Sequence, residues 1–132
     1  SCSGRILVMD DEDIMRSLAA EMLRRSGYEV ETAADGLQAV EVFSAAIARK
    51  APFDAVILDL TVPGGKGGEW TIRELNTIAP GIPAIVASGY SDSPIMSSPE
   101  RYGFCGVIAK PYRKTDMLET VERVLVAGNK RA

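Results

Sequence analysis

The stretch Ala55-Val56-Ile57-Leu58-Asp59 holds four apolar residues in a row and closes on an acid. A strand with one wet face alternates polar and apolar residues, whereas an unbroken apolar run belongs to a strand covered on both faces. Strands of that kind lie in parallel sheets with helices packed on each side. Arg5-Ile6-Leu7-Val8-Met9 repeats the form and runs into Asp10-Asp11-Glu12-Asp13. Pro83-Ala84-Ile85-Val86-Ala87 runs into Ser88, and Phe104 to Ala109 runs into Lys110-Pro111. Tyr28-Glu29-Val30-Glu31-Thr32 alternates instead and reads as an edge strand.

Helical periods fill the gaps between these five runs. From Asp13 to Ser26, Ile14, Leu18, Met22 and Arg25 mark successive turns, with Met15 and Leu23 widening the apolar face and Gly27 as the stop. Asp35-Gly36-Leu37-Gln38 resembles a capping box and opens a helix through Val40, Phe43 and Ile47. A third helix is predicted over 69–79 with Ile72, Leu75 and Ile78 inward, ended by Pro80. A fourth lies around Pro94 to Tyr102, where Pro99 can start a turn but not sit inside one. The last covers Thr115 to Val126 with Leu118, Val121 and Leu125 on one face. Five strand–helix units with right-handed crossovers make a doubly wound α/β domain of flavodoxin-like type, a five-stranded parallel sheet in the order 2-1-3-4-5. The domain is expected over 5–126, with 1–4 and 127–132 as terminal tails and the residues from Gly128 onward frayed.

Composition narrows the chemistry. The 132 residues suit one domain, and 46% hydrophobic residues can fill one core. There is no histidine, which excludes Ser-His-Asp and Cys-His catalysis, a His-ligated zinc and a phosphohistidine on this chain. A net charge of −3 argues against nucleic-acid binding, which needs clustered Lys and Arg. No apolar run reaches the ~18–20 residues a membrane helix requires, and Ser1 to Arg5 is too short and polar for a signal peptide. Cys2 and Cys105 make neither a disulfide framework nor a metal site; Cys105 reads as a small buried hydrophobe and Cys2 as an incidental thiol. A reducing cytoplasm is the expected location.

In a doubly wound sheet, ligands bind beyond the carboxyl ends of the strands. Asp10, Asp11, Glu12 and Asp13 follow the first strand, Asp59 the third, Ser88 the fourth, and Lys110 and Pro111 the fifth. Any one of these, taken alone, is ordinary loop or capping chemistry. Together they gather acids, a hydroxyl and a lysine on one edge. Close carboxylates repel, so Asp10, Asp11 and Asp59 would cost stability without a cation among them. Mg²⁺ suits oxygen donors of this kind and leaves positions for phosphate oxygens. The set fits phosphoryl transfer, with a carboxylate able to act as nucleophile and form an acyl phosphate. Asp59, on the central strand and followed by the glycine-rich loop of Gly64, Gly65, Gly67 and Gly68, is the nucleophile expected.

At these residues the chain resembles a response-regulator receiver domain of two-component signalling. The pieces are Ile6-Leu7-Val8-Met9-Asp10-Asp11-Glu12, Gly27 to Val30, Ala33 to Gly36, Ile57-Leu58-Asp59-Leu60 with Pro63-Gly64, Ala87-Ser88 and Lys110-Pro111, spanning nearly all of the chain. Ser88 to Pro94, Tyr102 to Phe104 and Gly106 to Tyr112 look especially like receivers at the C-terminus of hybrid sensor histidine kinases. The resemblance implies that Asp59 accepts a phosphoryl group from the phosphohistidine of a histidine kinase or histidine phosphotransfer domain. It implies that Asp11, Asp59 and the Thr61 carbonyl ligate Mg²⁺, with Asp10 acting through a metal-bound water. Lys110 and Ser88 would hold the phosphoryl oxygens, and the Lys110–Pro111 bond would be cis. Phosphorylation would switch the fourth strand–helix region and the fifth-strand face, and a water could return Asp59 to its free form. The domain would be a monomer or weak dimer, stand-alone or part of a larger kinase, with its phosphodonor docking near the first helix.

Three positions depart from the family pattern. Val107 stands where many receivers carry an aromatic switch residue, leaving Tyr90 or Tyr102 to serve by a different geometry. Lys66 stands in a loop where an acid is common, and Pro94 and Pro99 imply a short or irregular fourth helix. The competing reading is a hydrolase with Asp59 as covalent nucleophile; Thr61 stands where that class needs a second acid. A flavin carrier on the same fold needs a phosphate loop after the first strand, where Asp10 to Asp13 would repel it.

Overall fold

The computed structural model describes residues 3–89 and 93–131. Five strands, β1 (Arg5–Met9), β2 (Glu29–Ala33), β3 (Ala55–Asp59), β4 (Ala84–Ser88) and β5 (Gly106–Ala109), form one sheet in the order β2-β1-β3-β4-β5. Every pairing is parallel. Helices α1 (Asp13–Arg25), α2 (Gly36–Ala48), α3 (Gly68–Ile78), α4 (Pro94–Ser97) and α5 (Lys114–Arg131) connect and follow the strands. The doubly wound architecture and strand order expected from the apolar runs are both present, and β2 is the edge strand its alternation implied.

Side-chain alternation splits the core in two. Ile6 and Val8 of β1, Ala55 and Ile57 of β3, Ile85 and Ala87 of β4 and Ile108 of β5 face α1 and α5, packing on Leu23, Met117 and Val121. Leu7, Met9, Val56, Leu58, Ala84 and Val86 face the other way, onto Phe43 of α2 and Ile72 and Leu75 of α3. With both faces covered, β3 and β4 are buried along their whole length, as an unbroken apolar run requires.

The helices differ from the periodic reading in instructive ways. Ile14 is 82% exposed and Leu18 also lies outward; Ala19, Ala20 and Leu23 are the buried residues of α1. The helix starts at the carboxyl edge of the sheet, so its first turns overhang the sheet and only the later ones lie over it. Ile47 and Ile78, expected inward, sit at the rims of α2 and α3. Pro99 does end α4 and opens a 3-10 turn, Pro99–Tyr102. Helix α5 runs on to Arg131, over the residues beyond Gly128 that were expected to fray. Cys105 is partly rather than fully buried, with its thiol 3.4 Å from the Ala84 carbonyl.

The N-cap at α2 forms as its sequence implied, but the returning bond of the box goes to the residue before the cap. Asp35 accepts from the Gln38 amide at 2.9 Å, and the Gln38 side chain accepts from the Ala34 amide at 2.9 Å. The loop after β3 rests on this cap: the Gly36 amide donates to the Lys66 carbonyl at 2.8 Å. The glycines of that loop approach the protein's own backbone. A Cβ at Gly67 would fall 2.4 Å from the Leu60 carbonyl, so only glycine lets the loop close on the end of β3. Trp70 packs half-buried at the start of α3, with the Lys66 ammonium 5.5 Å from its ring centre.

Candidate functional site

Parallel register brings the strand ends level. Met9 pairs with Leu58, so Asp10 and Asp59 leave adjacent strands side by side. Asp59 pairs with Ala87, and Ser88 with Ala109, which places Ser88 beside Asp59 and Lys110 beyond Ser88. The Lys110 amide donates to the Ser88 carbonyl at 2.9 Å, carrying the β4–β5 ladder one residue into the loop. The Lys110–Pro111 peptide is cis.

These ends line a cleft of about 510 Å³ formed by Asp11, Glu12, Met15, Asp59, Thr61, Pro63, Ser88, Gly89, Lys110 and Pro111. Asp10, Asp11 and Asp59 each present an oxygen within 4.8 Å of the others. The Lys110 ammonium is shared three ways: 3.0 Å to Asp10 Oδ2, 3.3 Å to Asp59 Oδ1 and 3.4 Å to Glu12 Oε1. Asp10 is completely buried. Its Oδ1 accepts from the Glu12 amide at 2.9 Å, and its Oδ2 also accepts from the Tyr112 hydroxyl at 3.0 Å. Asp59 Oδ2, by contrast, is buried and has no hydrogen-bond partner among the described residues. Buried carboxylate oxygens are ordinarily satisfied, so an orphan in a functional cleft marks a place for a missing partner.

The electrostatics follow from this crowding. Burial first, then the neighbouring Asp11 carboxyl and the Asp10 charge, push Asp59 up from 3.8 to about 7, against the pull of Lys110. Burial disfavours the Lys110 ammonium, yet the Asp10 and Asp59 carboxylates outweigh it and raise its pKa. Burial and the same anions hold the Tyr112 phenol protonated, as a donor.

The structure brings together Asp10, Asp11, Asp59, Ser88 and Lys110, as the strand ends implied, with Thr61 and Pro111 on the rim of the same cleft. Val107 is half-buried on β5 and packs into the core on the α2–α3 side, as does Tyr102. Tyr90 lies outside the described residues. Two participants were not singled out from sequence. Glu12 was read only as one of a run of acids, and Tyr112 only as part of a motif; the signal for the second is its hydroxyl at a position directly after Lys110-Pro111.

Residues 6–122 match the family model described as the response regulator receiver domain. The Sporulation initiation phosphotransferase F of Bacillus subtilis (strain 168) is 28% identical over 121 residues, covering 92% of this chain and 93% of that protein. The sensor kinase CckA of Brucella abortus (strain 2308) is 29% identical over 125 residues, 95% of this chain and 13% of that protein. The crystal structure of the receiver domain of NtrX from Brucella abortus matches with a TM-score of 0.78 at 33% identity, covering 92% of this chain and 98% of that one.

Proposed function

Because the chain belongs to the response regulator receiver domain family of two-component signalling, we propose that its acid-lined cleft is the phosphoacceptor site and that Asp59 takes the phosphoryl group. The observation that carries this reading is the buried Asp59 Oδ2, without a hydrogen-bond partner among the described residues, at the end of the central strand and next to a lysine. A carboxylate oxygen of Asp59 bonds to the phosphorus of a partner's phosphohistidine. The phosphorus–nitrogen bond breaks, its electron pair stays on the imidazole, and Asp59 becomes an acyl phosphate. The Lys110 ammonium and the Ser88 hydroxyl take the phosphoryl oxygens. A separate step returns Asp59 to its free form: water attacks phosphorus, the bond from phosphorus to the Asp59 carboxylate oxygen breaks, and inorganic phosphate leaves.

The donor set fits Mg²⁺: clustered hard oxygens, one of them orphaned. Asp11, Asp59 and the Thr61 carbonyl would hold the ion. Asp10, whose oxygens already accept from Glu12, Lys110 and Tyr112, would act through a bound water. When bound, the ion neutralises charge on the transferring oxygens.

The new phosphoryl brings about −1.5 to −2 charge. It draws Ser88 and Lys110 inward and biases β4, α4 and the β5 face between two arrangements. With Val107 in place of an aromatic, the switch set is Ser88, Tyr90, Val107, Lys110 and Pro111. The donor is a histidine kinase or histidine phosphotransfer domain. The overhanging Ile14 and Leu18 of α1 offer it an apolar contact beside the cleft. Likeness to part of a sensor kinase supports a place within a hybrid kinase in the cytoplasm, with residues 5–126 as the receiver unit. Among the described residues no helix is long and apolar enough to cross a membrane.

The test is incubation with acetyl phosphate and Mg²⁺, read on a phosphate-affinity gel. A retarded band is expected for the native chain and not for Asp59→Asn. No retarded band, or one undiminished in the variant, overturns the reading.

A further inference from the structure

We propose that Tyr112 is a positioning residue, whose hydroxyl holds Asp10 so that Lys110 can leave it for the phosphoryl group. The proposal rests on the reading of Asp59 as phosphoacceptor. Asp10 Oδ2 accepts two donors, Lys110 Nζ and the Tyr112 hydroxyl, each at 3.0 Å. Asp10 is completely buried, so bulk water does not replace a donor that departs. A lysine that moves fully onto a phosphoryl group at Asp59 abandons Asp10 Oδ2, and an abandoned buried carboxylate oxygen opposes the move. Tyr112 is nearly fully buried and sits two residues past Lys110, where its donor stays in place while the lysine side chain shifts. The Glu12 amide serves only the other oxygen, Oδ1. Tyr112 is thus the side chain that keeps Oδ2 satisfied in both states.

Tyr112→Phe removes the hydroxyl and keeps the ring that packs in the core. Two quantities separate the roles. One is Mg²⁺ affinity, read by calorimetry with the metal alone. The other is the rate of Asp59 phosphorylation by acetyl phosphate at saturating Mg²⁺. Without the hydroxyl, Asp10 grips Lys110 harder, so phosphorylation slows on the order of tenfold. Mg²⁺ affinity holds or tightens, because Asp10 has lost a donor that partly neutralised it. Unchanged phosphorylation in the variant, with the native chain phosphorylated, overturns the inference and leaves the Asp59 reading intact. Parallel losses of Mg²⁺ affinity, rate and thermal stability overturn it in favour of a packing role. A native chain that binds Mg²⁺ but takes no phosphoryl group overturns the Asp59 reading itself, and the inference with it.

Discussion

Lys110 Nζ lies 3.3 Å from Asp59 Oδ1, so the cation that would neutralise a phosphoryl group is held against the acceptor before one arrives. The same ammonium reaches Asp10 and Glu12, and its side chain is only 11% exposed. It is therefore a structural counter-ion, in addition to the phosphoryl-binding role proposed for it. Removing one partner of a buried ion pair leaves an uncompensated charge, which costs ~3–5 kcal/mol. Lys110→Met keeps the apolar stem and should lower the stability of the metal-free protein by about that amount in urea unfolding. Mg²⁺ should then stabilise the variant more than the native chain, since a cation replaces the lost one. Equal Mg²⁺ effects would mean that the lysine and the metal do not share the acids.

Asp59 gives the site a pH signature. Its folded pKa is raised from 3.8 to about 7, so the folded state binds the proton more tightly than the unfolded chain. The stabilisation this brings is complete below the unfolded value near 4 and is lost as pH rises through about 7. Asp59→Asn has no such loss. The stability difference between variant and native chain should grow in the variant's favour from pH 4 to pH 8, by up to ~4 kcal/mol at ~1.4 kcal/mol per unit. Saturating Mg²⁺ at pH 8 should shrink that gap. Stability curves that stay parallel across this range would show that Asp59 ionises as it does in the unfolded chain.

Much of this was legible in the chain itself, for a definite reason. The unbroken run Ala55 to Leu58 reports burial on both faces, and that alone points to a parallel sheet whose ends gather Asp10, Asp59, Ser88 and Lys110. The cap at Asp35 is a local pattern and formed locally. What escaped depends on where an element sits. Periodicity finds an apolar stripe on α1, but the stripe through Ile14 overhangs the sheet edge, and small residues such as Ala19 and Ala20 make the real contact. Tyr112 escaped because spacing gives its place after Pro111, not the direction of a hydroxyl that meets an acid 102 residues away. The residues from Gly128 onward read as a frayed tail, yet α5 runs on to Arg131.

Gly36 tests how the loop after β3 is held. Gly36 is the first residue of α2, where helix preference favours alanine by less than the ~1 kcal/mol of a helix interior. A Cβ at Gly36, however, would stand 2.4 Å from Thr71 Oγ1 and 2.8 Å from the Lys66 carbonyl. The first contact could yield by a rotation; the second is backbone. Gly36→Ala should therefore destabilise the fold by ~1–3 kcal/mol, the usual cost of overpacking, seen as a lower urea midpoint. A midpoint that rises instead would mean the loop moves away freely and its docking on α2 does not fix the end of β3.

Ile14 separates partner recognition from folding. It is 82% exposed, whereas Leu23 on the same helix is completely buried. Leu23→Ala should cost ~2–5 kcal/mol through the cavity it leaves. Ile14→Ser should change stability by no more than ~0.5 kcal/mol, as surface substitutions do. The small donor acetyl phosphate does not need α1, so the rate of Asp59 phosphorylation from it should be unaffected in Ile14→Ser. Transfer from a phosphorylated histidine domain must bring a protein surface over the cleft, and it should slow several-fold, chiefly through weaker complex formation at low donor concentration. If both donors slow equally, Ile14 supports the cleft rather than the partner; if neither does, the protein donor approaches from another side.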